Sequence, residues 1–204
     1  MKIILIGATG TLGTAVDTLL NDRHDIVRVG RTRGDHHVDI TDATSIERLY
    51  AQIANFDAVI STTGDVRFGP LDQFTADQFE VGLRSKLMGQ VNLVTLGLKH
   101  IRPGGSYTLT SGQINDDPIR GGVSGALVNG GLEGFVRSAA TELPSGIRIN
   151  LVSPTATLES WAAFGPSFPG QKPIAASEAA LGYVKSVEGA QTGRVYRIGW
   201  SRDQ

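Results

Sequence analysis

The stretch KIILIGATGTLGTAVDTLL, residues 2–20, decides the fold. Ile3–Ile6 is an apolar run of strand length, rich in β-branched residues. Gly7, Gly10 and Gly13 follow at once, and Leu12, Val16, Leu19 and Leu20 then share one face at helical spacing. Glycines at such a junction let the backbone turn tightly and approach a pyrophosphate. The helix N-terminus behind them offers free N–H groups and partial positive charge. A glycine triplet alone is weak evidence; after a strand and before a helix it predicts a dinucleotide-binding unit.

The same alternation continues outward. Ile26–Val29, Ala58–Ser61, Ser106–Thr110, Ile147–Val152 and Arg194–Ile198 have strand length and β-branched composition. Between them Ile46, Leu49, Tyr50 and Ile53 mark a second helix. Thr75 and Gln78 then form a capping-box start, and Phe79, Leu83, Leu87, Val91, Val94 and Leu98 keep one stripe for over five turns. Further helices are predicted over roughly 122–142 and 175–188. Strands alternating with helices imply right-handed βαβ units. The expectation is a doubly wound parallel sheet in three α/β/α layers, a Rossmann fold, as one NAD(P)-binding domain over 1–204.

Composition narrows the partners. The chain has 204 residues, is 40% hydrophobic and carries a formal net charge of -1, which supplies no electrostatic reason for nucleic acid or membrane binding. No apolar run approaches the ~20 residues of a membrane span. There is no cysteine, so thiolate metal sites and disulfides are excluded, and a cytoplasmic location is the default expectation. His36 and His37 are adjacent and would point to opposite faces of an extended segment, so no metal site is expected there. The 26 glycines sit within patterned segments, which suggests close backbone approaches rather than disorder.

The second strand ends in VGRTRGD, residues 29–35. A carboxylate near this point would accept from the ribose hydroxyls of NAD, whereas the 2′-phosphate of NADP wants arginine. Arg31 follows the strand directly, Arg33 lies two residues on, and no acid precedes Asp35. NADP is therefore the expected cofactor, against the alternative of a solvated basic turn.

On these residues the chain resembles the short-chain dehydrogenase/reductase family over almost its whole length. Asp39, with Ile40 beside it, matches the family's acidic residue over the adenine, and STTG at 61–64 stands at the turn after the fourth strand. TLTSG places Ser111 where the catalytic serine lies, and LEGFVRSAATELPSGIRINLVSP, residues 132–154, follows the active-site helix and sixth strand closely. The resemblance implies cofactor contacts at Gly7, Thr9, Gly10, Thr11 and Leu12, and at Arg31, Thr32, Asp39 and Ile40. Thr62, Thr63, Gly64 and Pro154 complete that set.

The family's Tyr-x-x-x-Lys motif is missing. Aligned from residues 132–154, its tyrosine position falls on Gly125 and its lysine position on Asn129; none of Tyr50, Tyr107, Tyr183 and Tyr196 starts such a motif. Glycine has no proton to donate, and asparagine cannot lower a neighbouring pKa by charge. Lys86 aligns with the family's catalytic asparagine, so Ser111, Lys86 and Asn129 are the catalytic candidates. For Lys86 the alternatives are a group reaching the pocket or one turned to solvent or to an acid. Two functions follow: an NADP-dependent oxidoreductase acting on a small molecule, or a nucleotide-binding protein without turnover. Trp161, Phe164 and Phe168 suggest an apolar lid, or else plain core. The small residues Gly125, Ala126, Gly130, Gly131 and Gly134 suit pairing into a dimer through the long fourth and fifth helices.

Overall fold

The computed structural model describes residues 1–201. Seven parallel strands form one sheet in the order β3-β2-β1-β4-β5-β6-β7. They are β1 (Lys2–Ile6), β2 (Asp25–Gly30), β3 (His36–His37), β4 (Phe56–Ser61), β5 (Ile101–Thr110), β6 (Arg148–Pro154) and β7 (Val195–Ile198). Helices α1 (Thr11–Leu20) and α7 (Ala176–Glu188) cover one face. On the other lie α2 (Ala43–Ile53), α3 (Ala76–Gly82), α4 (Gln90–Gly97) and α5 (Val123–Ala139); a short α6 (Trp161–Phe164) follows β6.

The pleat of β1 sorts its side chains between two cores. Ile4 and Ile6 pack beneath α2, α4 and α5 with Tyr50, Leu93 and Leu132. Ile3 and Leu5 point the other way, toward Val16, Leu20 and Tyr183 of α1 and α7. A strand buried on both faces reads as a continuous apolar run, as Ile3–Ile6 does. Successive connections leave β1 in opposite directions, toward β2 and toward β4, and this switch point opens a crevice at the carboxyl ends of the strands.

Two elements depart from the sequence reading. His36 and His37 pair with Val29 and Gly30 as the edge strand β3, two residues being too short to give a pattern. The long helix is not uniform: its capping box is present, with Gln78 Oε1 accepting from Thr75 N at 2.8 Å. Between α3 and α4, however, Leu83–Gly89 winds as a π-helix. Such turns are rare, and they occur often at functional sites. The helix predicted over 122–142 runs over Val123–Ala139 and finishes in turns. No described helix is long and apolar enough to cross a membrane, and no cluster of metal-ligating side chains occurs among the described residues.

Candidate active site and nucleotide groove

The first glycine turn is shaped by close approach. Gly7 has φ +86°, and a Cβ there would lie 2.6 Å from Thr62 Oγ1; a Cβ on Gly13 would lie 2.0 Å from the Gly7 carbonyl oxygen. These contacts lay the opening of α1 directly against the end of β1. A groove of about 290 Å³ runs over this turn. It brings together Gly7, Thr9, Gly10, Arg31, Thr32 and Asp39, with Ile40, Thr62 and Thr63 completing its wall. Arg31 is exposed and faces Asp65 across the groove at 3.8 Å. The Asp39 carboxyl is held below its usual range, chiefly by the Thr41 hydroxyl donating at 2.7 Å, then by the Thr41 N–H and the Arg31 charge. Asp35 does not line the groove; its Oδ2 accepts from Arg28 N at 2.9 Å.

Thr62 also borders a second cleft, of about 360 Å³, at the ends of β4, β5 and β6. Thr11, Leu12 and Pro154 line this cleft rather than the groove, and so do Lys86, Ser111, Gly125 and Asn129. Gly64 lines neither. Its φ is +136°, and a Cβ on it would lie 2.7 Å from Lys86 Cα, so it sets how closely the β4 turn packs on the π-helix.

The three catalytic candidates converge on one dipeptide. Lys86 Nζ donates to the Ser111 carbonyl at 3.1 Å, and Asn129 Nδ2 donates to the Gly112 carbonyl at 3.1 Å. Ser111 and Asn129 are buried, yet Ser111 Oγ and Asn129 Oδ1 have no protein partner among the described residues. Buried polar atoms without partners are rare enough to point to a ligand. Burial pushes the Lys86 ammonium down from 10.5 to about 8, because its surroundings solvate the charge poorly. The alternative of a solvated lysine does not hold.

Gln90 explains this placement; along the chain it shows only as an amide within an apolar stripe. Its Nε2 donates to the Lys86 carbonyl at 3.0 Å and the Thr110 carbonyl at 2.9 Å, while its Oε1 accepts from Thr110 N at 2.8 Å. The fully buried amide thus ties the π-helix to the end of β5 beside Ser111. The space beside Gly125 is also not empty. A Cβ there would sit 2.5 Å from Ile114 Cδ1, so Ile114 fills room that a larger side chain at 125 would need. Phe164 and Phe168 do wall the cleft, whereas Trp161 packs on Phe168 with ring centroids 6.5 Å apart.

This fold and these clefts define a short-chain dehydrogenase/reductase, and the chain belongs to that family of oxidoreductases. Within it, residues 14–193 match the family described as enoyl-(acyl carrier protein) reductase. The crystal structure of the protein lin1944 from Listeria innocua is 47% identical, with TM-score 0.95 over 97% of this chain and 98% of that one. A small-chain dehydrogenase in complex with NADPH shares the fold at 24% identity, with TM-score 0.86 over 97% and 96% of the two chains. A hydroxynaphthalene reductase of Aspergillus fumigatus is 26% identical over 134 residues, 63% of this chain. The chain spans about half the length of that curated relative, 49% of it being matched.

Proposed function

We propose that the protein is an NADP(H)-dependent oxidoreductase that reduces a small carbonyl compound, with Lys86 in place of the usual tyrosine as proton donor. The observation that carries this reading is the convergence of Lys86, Ser111 and Asn129 in a cleft sharing Thr62 with the nucleotide groove. The residues fit the cofactor: a glycine turn with no room for a Cβ at Gly7 or Gly13, the exposed Arg31 cation on the groove, and orphaned polar atoms in the adjoining cleft. When bound, the nicotinamide supplies the hydride.

The chain's own residues do the rest. Ser111 Oγ, free of other partners, donates to the carbonyl oxygen of the substrate. Lys86 hands a proton to that oxygen as it gains charge, and a pKa of about 8 keeps the amine mostly protonated at neutral pH yet able to release. Release leaves Lys86 neutral, which would offset the positive charge that a hydride donor would gain beside it. Asn129 Oδ1 is placed to accept from a ribose hydroxyl.

A second reading, nucleotide binding without turnover, is favoured by the lack of a phenol in this cleft. Tyr50 and Tyr107 are buried in one sheet core, and Tyr183 and Tyr196 in the other. Titration with NADPH and NADH followed by NADPH oxidation over a carbonyl panel separates the readings. Tighter binding of NADPH, reduced about tenfold by Arg31→Ala, is expected. Equal binding of both nucleotides would reject the NADP assignment, and tight NADPH binding with no oxidation on any carbonyl would favour the second reading.

We also propose a dimer through α3–α4 and α5. Leu127 and Met88 are exposed there, and added Cβ atoms on Gly130 and Gly134 would meet nothing within 4 Å, which leaves a face open to close packing. Light scattering giving a monomer mass at micromolar concentration would reject it.

A further inference from the structure

We infer that the substrate is an uncharged carbonyl compound with a long apolar arm, its carbonyl at Ser111 and its tail running out over the touching rings of Phe68 and Phe164. The inference rests on the oxidoreductase reading and names the substrate class of that site. Among the described residues Lys86 is the only charged one lining the inner cleft, whose remaining walls include Val66, Ile114 and Phe168. Ile114 and Phe168 are buried but belong to neither sheet core, so the cleft itself is the apolar environment they serve. A substrate carboxylate at the carbonyl would pair with the Lys86 ammonium and hold its proton back, which disfavours an oxo acid.

Two further hollows adjoin the cleft, and they differ in polarity. On one side Gln113 and Thr155 border a pocket lined by Asp116, Asp117 and Lys172, where Gln113 Nε2 donates to Gln171 Oε1 and Gln171 in turn donates to Asp117, a polar wall that does not suit an apolar tail. On the other, Phe68 and Phe164 line both the inner cleft and an outer groove of about 760 Å³. Their ring centroids stand 6.1 Å apart. The groove continues over Pro70, Leu71, Ile119 and Ala163, with Arg120 its only charged lining residue. Phe68 is 47% exposed, Leu71 65% and Phe164 44%, an apolar track laid from the reacting groups to the surface. Exposed apolar patches commonly mark ligand grooves. Continuity with the inner cleft through two shared rings commits this one to a substrate tail.

Calorimetric titration of the NADPH-loaded protein with straight-chain 2-alkanones, from 2-butanone to 2-undecanone, tests this alongside NADPH oxidation rates. The dissociation constant should fall roughly fourfold per added methylene until the tail passes Leu71, because each methylene leaves water. A 2-oxo acid of equal length should be reduced more slowly than the ketone however tightly it binds, because its carboxylate holds the Lys86 proton back. Leu71→Ser, a change at an exposed position that folding tolerates, should flatten the slope for the longer ketones. A flat series, or faster reduction of the oxo acids than of the ketones, would overturn the inference even with NADPH oxidised normally. A steep series with no ketone reduced would uphold the groove assignment and remove the oxidoreductase reading beneath it.

Discussion

Replacing Lys86 by methionine should stabilise the protein while disabling its site. The Lys86 amine meets the Ser111 carbonyl at 3.1 Å and pairs with no carboxylate among the described residues. Its fall from 10.5 to about 8 corresponds to a cost of about 3 kcal/mol for holding the charge, at ~1.4 kcal/mol per pH unit. Methionine keeps an unbranched apolar stem of similar length and removes that cost. It also takes the amine from the Ser111 carbonyl, losing about 1 kcal/mol. The net gain of about 2 kcal/mol should raise the melting temperature by ~4–8 °C at pH 7. Below pH 8 the lysine is protonated in both folded and unfolded chains, so its cost is fully present. Between pH 8 and 10.5 the folded chain sheds a proton that the unfolded chain keeps, and the parent gains stability until the gap closes. Paired thermal melts of the two nucleotide-free proteins across this range measure it. A variant melting below the parent at pH 7, or a gap indifferent to pH, would refute a buried unpaired ammonium. Activity supplies the complementary readout: NADPH oxidation by the parent should decline above pH 8, and in the variant it should fall ~10²–10⁴-fold.

Gly125→Tyr should not create a working acid. Its Cβ meets Ile114 Cδ1 at 2.5 Å, so urea unfolding should show a loss of about 1–3 kcal/mol, partly relieved by Ile114→Ala. Gly13→Ala should abolish nucleotide binding in a titration, because its Cβ would lie 2.0 Å from the Gly7 oxygen and must push α1 away from β1. Glu133 is buried and accepts from Arg137 at 2.6 Å, Asn115 at 2.9 Å and Arg197 at 3.4 Å. Glu133→Ala leaves Arg197 with Asp116 at 3.1 Å but strips a buried acceptor from Arg137, Asn115 and Arg197, and should lower stability by about 1–3 kcal/mol in the same unfolding assay.

The fold was legible because its signals are local. Ile3–Ile6 needs only its own composition to declare a doubly buried strand, and the Thr75–Gln78 capping box is complete within four residues. The nucleotide groove was legible for the same reason. Gly7, Thr9, Gly10, Arg31 and Asp39 each lie in the turns directly after β1 and β2 or close to them, and the parallel sheet brings those turns side by side. In the catalytic half the family resemblance named Ser111, Lys86 and Asn129, whereas the usual acid was legible only as an absence, since residues 125 and 129 lack a phenol and an amine.

What replaces them is a property of packing between distant segments. The sequence alone determined the strand–helix order, the glycine turn and the arginine after the second strand, because each follows from spacing along one element. Only the tertiary structure decided that Lys86 turns inward. That orientation depends on a π-helix braced by Gln90 against Thr110, twenty residues away, and by the close approach of Gly64. It likewise decided that Ile114 closes the space beside Gly125, and that Phe68 and Phe164 meet across nearly a hundred residues as a shared wall of the inner cleft and the outer groove. Helical periodicity says which residues share a face. It carries no information about a one-residue change of winding, nor about which side chain from another loop arrives to fill the room it leaves.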